Sequence, residues 1–368
     1  MTKLQDLFND FGQSPWIDNI RRDWLNDGTL AGLVAQGVRG VTSNPSIFAK
    51  AFATSSAYDE LVAKSSVTDP EELFEELAVA DVRDACDVLS GVHQASVSEM
   101  ASGRRRYRDG FVSLEVSPRL AHDTNGTIEA AARLHEAVSR ENVMIKIPAT
   151  DEGLSAISET LSRGINVNVT LIFSIVRYAQ VLDAWLEGLE GARSNGFALS
   201  SLASVASFFI SRVDTAVDVL LKEADPRRGR SANAQVAAAY ELYQRYLKED
   251  RFAALVDAGA QVQRPLWAST SVKNPQYDDL LYVNTIVADE TVNTMPDVTL
   301  DAVLDHGDFS RSRLRGEASI GELRHELDLL APDVSLSSVT TKLEHDGVQA
   351  FVDSYEELLA TVAHKMRS

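Results

Sequence analysis

The most informative run of this sequence is Glu141-Asn142-Val143-Met144-Ile145-Lys146-Ile147-Pro148-Ala149-Thr150. Apart from one lysine, residues 143–147 are apolar, which is typical of a strand buried on both faces. Lysine is rarely buried without a partner. Since desolvation disfavours the charged amine and lowers its pKa, Lys146 is a candidate Schiff-base nucleophile. The alternative is a lysine whose amine reaches solvent from the strand end, and this run alone leaves both interpretations open.

Composition limits the classes of partner. The chain has 368 residues, of which 45% are hydrophobic and 24% charged, so it has ample material for a large core. Its formal net charge is −19 and its pI is about 4.8. Because such a chain repels polyanions, we expect neither nucleic acid nor an anionic membrane surface as a partner. An anionic small-molecule substrate would need a locally positive pocket.

Targeting and redox signals point to the cytoplasm. The sequence contains one cysteine, Cys86, so an internal disulfide is impossible and a reducing compartment is expected. Residues 1–16 lack the charged and apolar pattern of a secretory leader. Apolar runs are all shorter than the roughly 18 residues that a membrane span requires. We therefore expect a cytoplasmic protein without a membrane span.

Strand patterns alternate with helical patterns along the chain. Besides the lysine strand, strands are predicted at 14–20, 38–44, 111–116, 165–173, 204–212, 264–270 and 281–287. This alternation favours βαβ units and a parallel sheet. Without a glycine-rich nucleotide fingerprint, a closed (β/α)8 TIM barrel is favoured over a doubly wound sheet. We expect one α/β barrel domain over residues 1–368, with extra N-terminal helices and with residues from about 299 forming helices packed on the barrel.

Polar side chains occur at the ends of these strands, where the active site of such a barrel lies. The candidates are Asp18, Thr42, Asn44, Ser113, Glu115, Lys146, Asn168, Thr170, Ser207 and Arg212. Each has a structural alternative: Asn44 could form a turn, Thr170 could pack by its methyl group, and Arg212 could pair with Asp214. Their convergence on one barrel mouth is harder to explain by packing.

Three runs resemble the transaldolase family. They are Gly40-Val41-Thr42-Ser43-Asn44-Pro45-Ser46, Met144-Ile145-Lys146-Ile147-Pro148-Ala149-Thr150 and Ile165-Asn166-Val167-Asn168-Val169-Thr170-Leu171-Ile172-Phe173-Ser174. The match extends over most of the chain in the same order. The resemblance implies a barrel of the class I aldolase type. It also implies transfer of a dihydroxyacetone unit from a ketose phosphate to an aldose phosphate in the non-oxidative pentose phosphate pathway.

The resemblance also implies roles for single residues. Lys146 would form the Schiff base with the ketose C2 carbonyl. Asp18 would take the proton of the C4 hydroxyl so that the C3–C4 bond breaks. Glu115 would exchange protons through a water molecule while the carbinolamine forms and decays. A protonated imine is a suitable electron sink for this cleavage, and two carboxylates in different settings can divide the acid and base tasks.

The remaining implied roles concern binding and orientation. Asn44 and Asn168 would hold the bound three-carbon unit by hydrogen bonds. Thr42, Ser113 and Thr170 would orient the water and the side chains around it. Ser207 and Arg212 would bind the phosphate. The seventh predicted strand departs from the better-known members, which place a second phosphate-binding arginine there. Lys273 could replace that arginine as a point charge, or Ser271 could contribute.

The expected partners are small-molecule sugar phosphates, and the expected assembly is a monomer or a homodimer. The histidines show no metal-ligand spacing, so no metal or organic cofactor is expected. Two other functions remain open at this point. One is an aldolase like fructose 6-phosphate aldolase, which releases free dihydroxyacetone. The other is a catalytically silent barrel that only binds sugar phosphates.

Overall fold

Parallel strands form a single sheet in the computed structural model, which describes residues 1–367. The strands are β1 (Gln13–Ile17), β2 (Val112–Glu115), β3 (Val143–Pro148), β4 (Val167–Ile172), β5 (Ser204–Phe209), β6 (Arg264–Ala268) and β7 (Thr291–Met295). Their order in the seven-stranded sheet is β1-β7-β6-β5-β4-β3-β2, and every neighbouring pair is parallel. The predicted α/β class is therefore confirmed.

Helices connect the strands, as parallel pairing requires. They are α1 (Lys3–Asn9), α2 (Arg22–Asp27), α3 (Thr29–Gln36), α4 (Pro45–Thr54), α5 (Asp59–Lys64), α6 (Pro70–Ala101), α7 (Thr124–Val138), α8 (Asp151–Ser162), α9 (Ile175–Ser194), α10 (Ser211–Asp218), α11 (Ser231–Tyr246), α12 (Asp250–Val256), α13 (Leu281–Thr285), α14 (Asp297–His306), α15 (Glu317–Leu330) and α16 (Leu336–Lys365). Within residues 1–367, no helix combines the length and the apolar character needed to cross a membrane.

Side-chain caps start several helices directly after a strand. The Thr150 hydroxyl accepts a hydrogen bond from the Gly153 amide at 3.0 Å, and the Ser174 hydroxyl accepts one from the Arg177 amide at 3.0 Å. Each cap satisfies an amide that the first helical turn leaves unpaired. The chain therefore passes from β3 to α8, and from β4 to α9, within very few residues. Short connections of this kind keep the carboxyl ends of the strands at one common rim.

The edge strands of the sheet are brought close to each other by residue 41. Val41 forms single parallel bridges to Ile17 of β1 and to Val112 of β2. The sheet is therefore curled, but the predicted second strand at 38–44 contributes bridges and not a full strand. A Cβ at Gly40 would lie 2.3 Å from the Trp16 ring, so only glycine allows this close approach.

The predicted strand at 281–287 is wrong, because this segment forms the short helix α13. Tyr282 and Val283 are buried there. A short apolar run has the same appearance in a buried strand and in a buried helix, so hydrophobicity alone could not separate them. The last strand of the sheet is β7, which lies further along the chain.

Strand β7 escaped prediction because most of its side chains are polar. These side chains find partners on neighbouring segments. The Gln13 side-chain amide donates to the Thr291 hydroxyl at 2.9 Å, and the Thr270 hydroxyl donates to the Asn293 side-chain oxygen at 2.9 Å. Such partners remove the cost of burying polar groups, so a strand without an apolar pattern is stable here.

Two apolar layers lie on opposite sides of the sheet. The larger one fills the space between the sheet and the surrounding helices. The smaller one occupies the concave face and is formed by Trp16, Phe111, Met144, Leu171, Phe173, Ala203, Val205, Phe209, Leu266, Ala268, Val292 and Phe351. All but Phe351 of this inner layer lie on the strands or next to them. Phe351 comes from α16, which packs against α4, α6 and α10 and so crosses the rim formed by the carboxyl ends of the strands.

A buried carboxylate closes the opposite end of the concave face. Asp109 is fully buried and accepts hydrogen bonds from Ser14 at 2.6 Å and from the Trp16 indole at 3.0 Å. It also pairs with Arg39 at 2.9 Å and with Arg264 at 3.2 Å. Burial raises the pKa of Asp109, but the two guanidinium groups outweigh this effect and lower it to about 2. This end of the sheet is thus filled by a saturated polar network, which leaves the other end for ligands.

Candidate active site

The lysine of β3 lies inside the curled sheet. Glu115, Lys146 and Asn168 occupy matching positions on three neighbouring strands, so their side chains point to the same face. Lys146 is 4% exposed. Its Nζ lies 3.0 Å from Oε2 of Glu115 and donates a hydrogen bond to the carbonyl of Ser43 at 3.0 Å. The alternative in which this amine extends into solvent is therefore excluded.

A cavity of about 190 Å³ opens in front of this amine at the carboxyl ends of the strands. Its walls are formed by Asp18, Thr42, Asn44, Lys146, Thr170, Ser207, Phe209, Arg212, Ala268, Ser269, Ser271, Lys273, Thr294, Pro296 and Phe351. Most of the residues selected from the sequence thus line one cavity. They reach it from different strands because parallel strands end at the same rim.

Three of the selected residues lie behind this wall and not in it: Ser113, Glu115 and Asn168. The Asn168 side-chain amide donates to the Ser113 hydroxyl at 2.9 Å, and the Ser207 hydroxyl donates to the Asn168 side-chain oxygen at 2.7 Å. These bonds fix the orientation of the Asn168 amide, since each end has a defined partner. Ser207 therefore faces the cavity with its proton already engaged.

Asp18 is the carboxylate in the cavity wall. The Thr42 hydroxyl donates to its Oδ1 at 2.6 Å, and that hydroxyl also lies 2.7 Å from the Thr294 hydroxyl. Burial raises the pKa of Asp18, while the positive charge of Lys146 opposes this rise. A carboxylate with a raised pKa is a stronger base, and the bond to Oδ1 leaves Oδ2 available.

The second carboxylate, Glu115, experiences the same opposing effects. Burial raises its pKa, and the charge of Lys146 together with their hydrogen bond lowers it. Its side chain is 5% exposed, and it does not line the cavity, whereas Asp18 does. The two acids thus differ in setting: one borders the cavity, and the other is held against the amine from behind.

The alternatives weighed for Asn44 and Thr170 have different outcomes. The Asn44 side-chain oxygen accepts from the Ile47 amide at 3.0 Å and caps α4, so the residue has a structural role while it also lines the cavity. The Thr170 hydroxyl is buried and has no hydrogen-bond partner anywhere in residues 1–367. A purely packing role for Thr170 would leave this hydroxyl unsatisfied at a cost, which favours a partner that enters the cavity.

An irregularity in β4 follows directly after Thr170. The register with β5 shifts between Val169 and Ile172, and Leu171 has a φ of 60°. A bulky residue in this region is strained, and such strain is concentrated at functional sites. The bulge turns Leu171 into the inner apolar layer, although strict alternation would direct it outward.

Arg212 is a half-buried cation in the cavity wall. It follows β5 directly, at the start of α10, and its guanidinium lies 5.2 Å from the centre of the Phe209 ring. The proposed alternative, a pair with Asp214, is not formed, because Asp214 accepts from the Ala232 amide at 2.8 Å and from the Tyr282 hydroxyl at 3.0 Å. Burial lowers the pKa of Arg212. No ion pair involves Arg212 in the described part of the chain, so it is free to bind an anion.

The loop after β6 supplies a second cation. The Lys273 amine donates to the Ser271 hydroxyl at 2.7 Å, and both residues line the cavity. The loop is anchored further along by the Tyr277 hydroxyl, which donates to Asp218 of α10 at 2.6 Å. Arg212 and Lys273 therefore belong to two segments that are fastened to each other.

Several wall residues were not predicted from the sequence: Phe209, Ser269, Thr294 and Phe351. Thr294 was missed because its strand was placed elsewhere, although a polar residue on a correctly placed β7 would have been selected. Phe209 and Phe351 were missed because an apolar residue at a strand end or on an amphipathic helix looks like core. Across residues 1–367, no group of three or more His, Cys, Asp or Glu side chains is arranged to hold a metal ion.

Comparison with known proteins agrees with this geometry. Residues 15–362 match the family described as Transaldolase/Fructose-6-phosphate aldolase. The chain is 48% identical to a protein named transaldolase from Thermobifida fusca, over 99% of this chain and 98% of the relative. It is 45% identical to a transaldolase from Saccharopolyspora erythraea, over 98% of this chain and 97% of the relative. The resemblance inferred from three sequence runs is confirmed, and the chain belongs to the transaldolase/fructose-6-phosphate aldolase family.

Proposed function

We propose that this protein is a transaldolase that moves a dihydroxyacetone unit from a ketose phosphate to an aldose phosphate through a Schiff base on Lys146. The donor would be sedoheptulose 7-phosphate or fructose 6-phosphate, and the acceptor glyceraldehyde 3-phosphate or erythrose 4-phosphate. The observation that carries the proposal is the buried Lys146 amine, 3.0 Å from a buried carboxylate, at the wall of a cavity that also holds Asp18 and Arg212.

Imine formation requires a neutral amine. Glu115 is placed to take a proton from Lys146, and its raised pKa favours this transfer. The amine then adds to the C2 carbonyl, and loss of water gives the iminium. Because Glu115 lies behind the cavity wall, it reaches the departing C2 oxygen through a water molecule. The unpartnered hydroxyl of Thr170 is suited to hold that water.

Cleavage requires a base at the C4 hydroxyl. Oδ2 of Asp18 takes this proton, the C3–C4 bond breaks, and its electron pair moves into the iminium to give an enamine. The aldose phosphate leaves with the new carbonyl at its former C4. An acceptor aldose then enters, and the same steps in reverse join it to C3, with Asp18 returning the proton. The bond from Thr42 holds the carboxylate in position throughout.

The phosphate of either sugar is assigned to Arg212 and Lys273. Arg212 offers a planar fork of donors that forms no ion pair within residues 1–367, and Lys273 adds a point charge from the facing loop. These two positive charges would attract the anionic substrate, which a chain of net charge −19 would otherwise repel.

The proposal includes a closed barrel in one domain. Residues 39–42 would act as the eighth strand of the barrel. Val41 forms a β-bridge to each edge strand, and the backbone amides on either side of it also form hydrogen bonds to the neighbouring segments. The whole chain, including α14 to α16, would form this one domain, and the protein would act in the cytoplasm as a monomer or a homodimer.

Reductive trapping tests the proposal. The protein is incubated with fructose 6-phosphate and borohydride, digested and analysed by mass spectrometry. We expect a sugar-derived mass on the peptide that contains Lys146, no such mass at the exposed Lys50, and none in the Lys146→Ala variant. Absence of an adduct from the unaltered protein would refute the Schiff-base function.

A further inference from the structure

We infer that Phe351, on the C-terminal helix, is a specificity-determining residue that keeps water from the dihydroxyacetone-bearing lysine and so favours transfer over release. The inference rests on the proposed function. The centre of the Phe351 ring lies 5.6 Å from Nζ of Lys146, and the ring lines the same cavity. Phe351 is 5% exposed, and its helix crosses the rim formed by the carboxyl ends of the strands.

The position of α16 explains how the ring reaches the amine. A Cβ at Gly347 would lie 3.2 Å from Leu171 and 3.4 Å from Phe173, so the helix touches the end of β4 one turn before Phe351. Phe351 then completes the inner apolar layer, and the half-buried Leu343 and Val348 of the same helix pack against that layer. The strands leave this layer open at the rim, and the helix covers it.

Polar contacts hold the helix across the rim on both sides of Phe351. Before it, Glu344 pairs with Arg177 at 3.2 Å. After it, Ser354 contacts the Ser46 hydroxyl at 2.8 Å, and Glu356 accepts two hydrogen bonds from Arg119 at 2.8 and 2.9 Å. Phe351 thus lies in the middle of a helix that is held on both sides by contacts with the helices around the cavity entrance.

The chemistry at stake is hydrolysis of the bound three-carbon unit. After cleavage, Asp18 can pass the proton that it took from the C4 hydroxyl to C3 of the enamine, which regenerates the iminium. Water can then add to C2, and its two protons pass to the nitrogen by way of Glu115. The C–N bond breaks with its electron pair remaining on nitrogen, and free dihydroxyacetone leaves. An apolar ring over the iminium excludes water from this face and also attracts the positive charge. The unit then persists until an acceptor aldose arrives.

The test compares Phe351→Ala and Phe351→Leu with the unaltered enzyme. Two rates are measured with fructose 6-phosphate: release of dihydroxyacetone without an acceptor, and transfer to an aldose phosphate acceptor. We expect the ratio of release to transfer to rise about tenfold in Phe351→Ala, equivalent to roughly 1.4 kcal/mol in relative barrier height. The Leu variant restores most of the apolar volume and should lie between the two.

Leu359→Ala is the matched control, since Leu359 is a half-buried residue of the same helix that packs on the outer layer. Its ratio should equal that of the unaltered enzyme. An unchanged ratio in both Phe351 variants, with the Lys146 adduct still trapped, would overturn this inference alone. If the unaltered enzyme forms no adduct, the proposed function fails as well. If circular dichroism shows that Phe351→Ala does not fold, the ratio of release to transfer in Phe351→Leu decides alone, and an unchanged ratio in that variant overturns the inference.

Discussion

The amine of Lys146 lies 3.0 Å from the carboxylate of Glu115, and both side chains are only 5% exposed. Removing two charges from water costs several kcal/mol per ion, so a buried pair is weak evidence for stability. In the proposed mechanism the pair has a chemical purpose instead, since it would supply a nucleophile and a proton acceptor in direct contact.

Asp18→Asn should separate imine formation from cleavage. The variant keeps the shape of the side chain but cannot take the C4 proton, so kcat should fall by about 10²- to 10⁴-fold, the usual contribution of a general base. Borohydride trapping with fructose 6-phosphate should then yield the intact six-carbon sugar phosphate on Lys146. Asp23→Asn, in a half-buried pair with Arg21 outside the cavity wall, is the control and should behave normally. A three-carbon adduct formed at the normal rate would remove Asp18 from the cleavage step.

The pH profile of kcat/KM should lose activity on the acid side at a pH above the ordinary value of an aspartate. Asp18 acts as a base only when it is deprotonated, and burial raises its pKa. The hydrogen bond from Thr42 favours the charged form of Asp18, so Thr42→Val should move the acid limb to higher pH. Thr54→Val, at an exposed position of α4, should leave the limb in place. A downward shift in Thr42→Val would contradict the assigned role of that hydrogen bond.

Thr170→Val should lower kcat by roughly 10- to 100-fold without a change in fold, because it removes the hydroxyl that is proposed to hold the proton-transferring water. Valine has nearly the same shape, so packing is retained. Thr170→Ser keeps the hydroxyl and should restore most of the rate. Equal rates in the Ser and Val variants would show that only the shape of Thr170 matters.

Arg212→Ala should raise KM for phosphorylated donors and lower kcat/KM by about 10²-fold, as expected from losing two charge-assisted hydrogen bonds. Lys273→Ala should have a smaller effect, ~10-fold or less, because Lys273 is exposed and its charge is screened. Activity with unphosphorylated fructose should be nearly the same in both variants and in the unaltered enzyme. Equal losses with fructose and fructose 6-phosphate would exclude Arg212 from the phosphate site.

Asp109→Ala should destabilise the fold by about 3–5 kcal/mol, because it leaves the buried Arg264 without a counter-ion. Thermal unfolding measures this loss. Asp87→Ala, in an exposed pair with Arg140, should cost about 1 kcal/mol at most.

The folded pKa of Asp109, about 2, lies below its ordinary value of 3.8. Its stabilising effect is therefore complete above pH 3.8 and is lost as the pH falls towards 2, a dependence that Asp109→Ala should lack.

The local pattern of the sequence determined the class of the fold and the centre of the site. Alternating strand and helix patterns predicted a parallel sheet, because such sheets require helical crossovers. An apolar run with one lysine placed Lys146 on a buried strand. These features depend on residues close together in the chain, and so they could be predicted from it. The common face of Glu115, Lys146 and Asn168 was not predicted, because it depends on the register between neighbouring strands.

Contacts between distant segments decided the rest. Strand β7 is held by partners such as Gln13, which is 278 residues away in the chain, so the composition of the strand does not mark it. The absence of an Arg212–Asp214 pair depends on Tyr282 and Ala232, which occupy the carboxylate. The approach of Phe351 to Lys146 depends on where α16 crosses the rim. In each case, a side chain acquires its role from a neighbour that only the folded chain brings within a few ångströms.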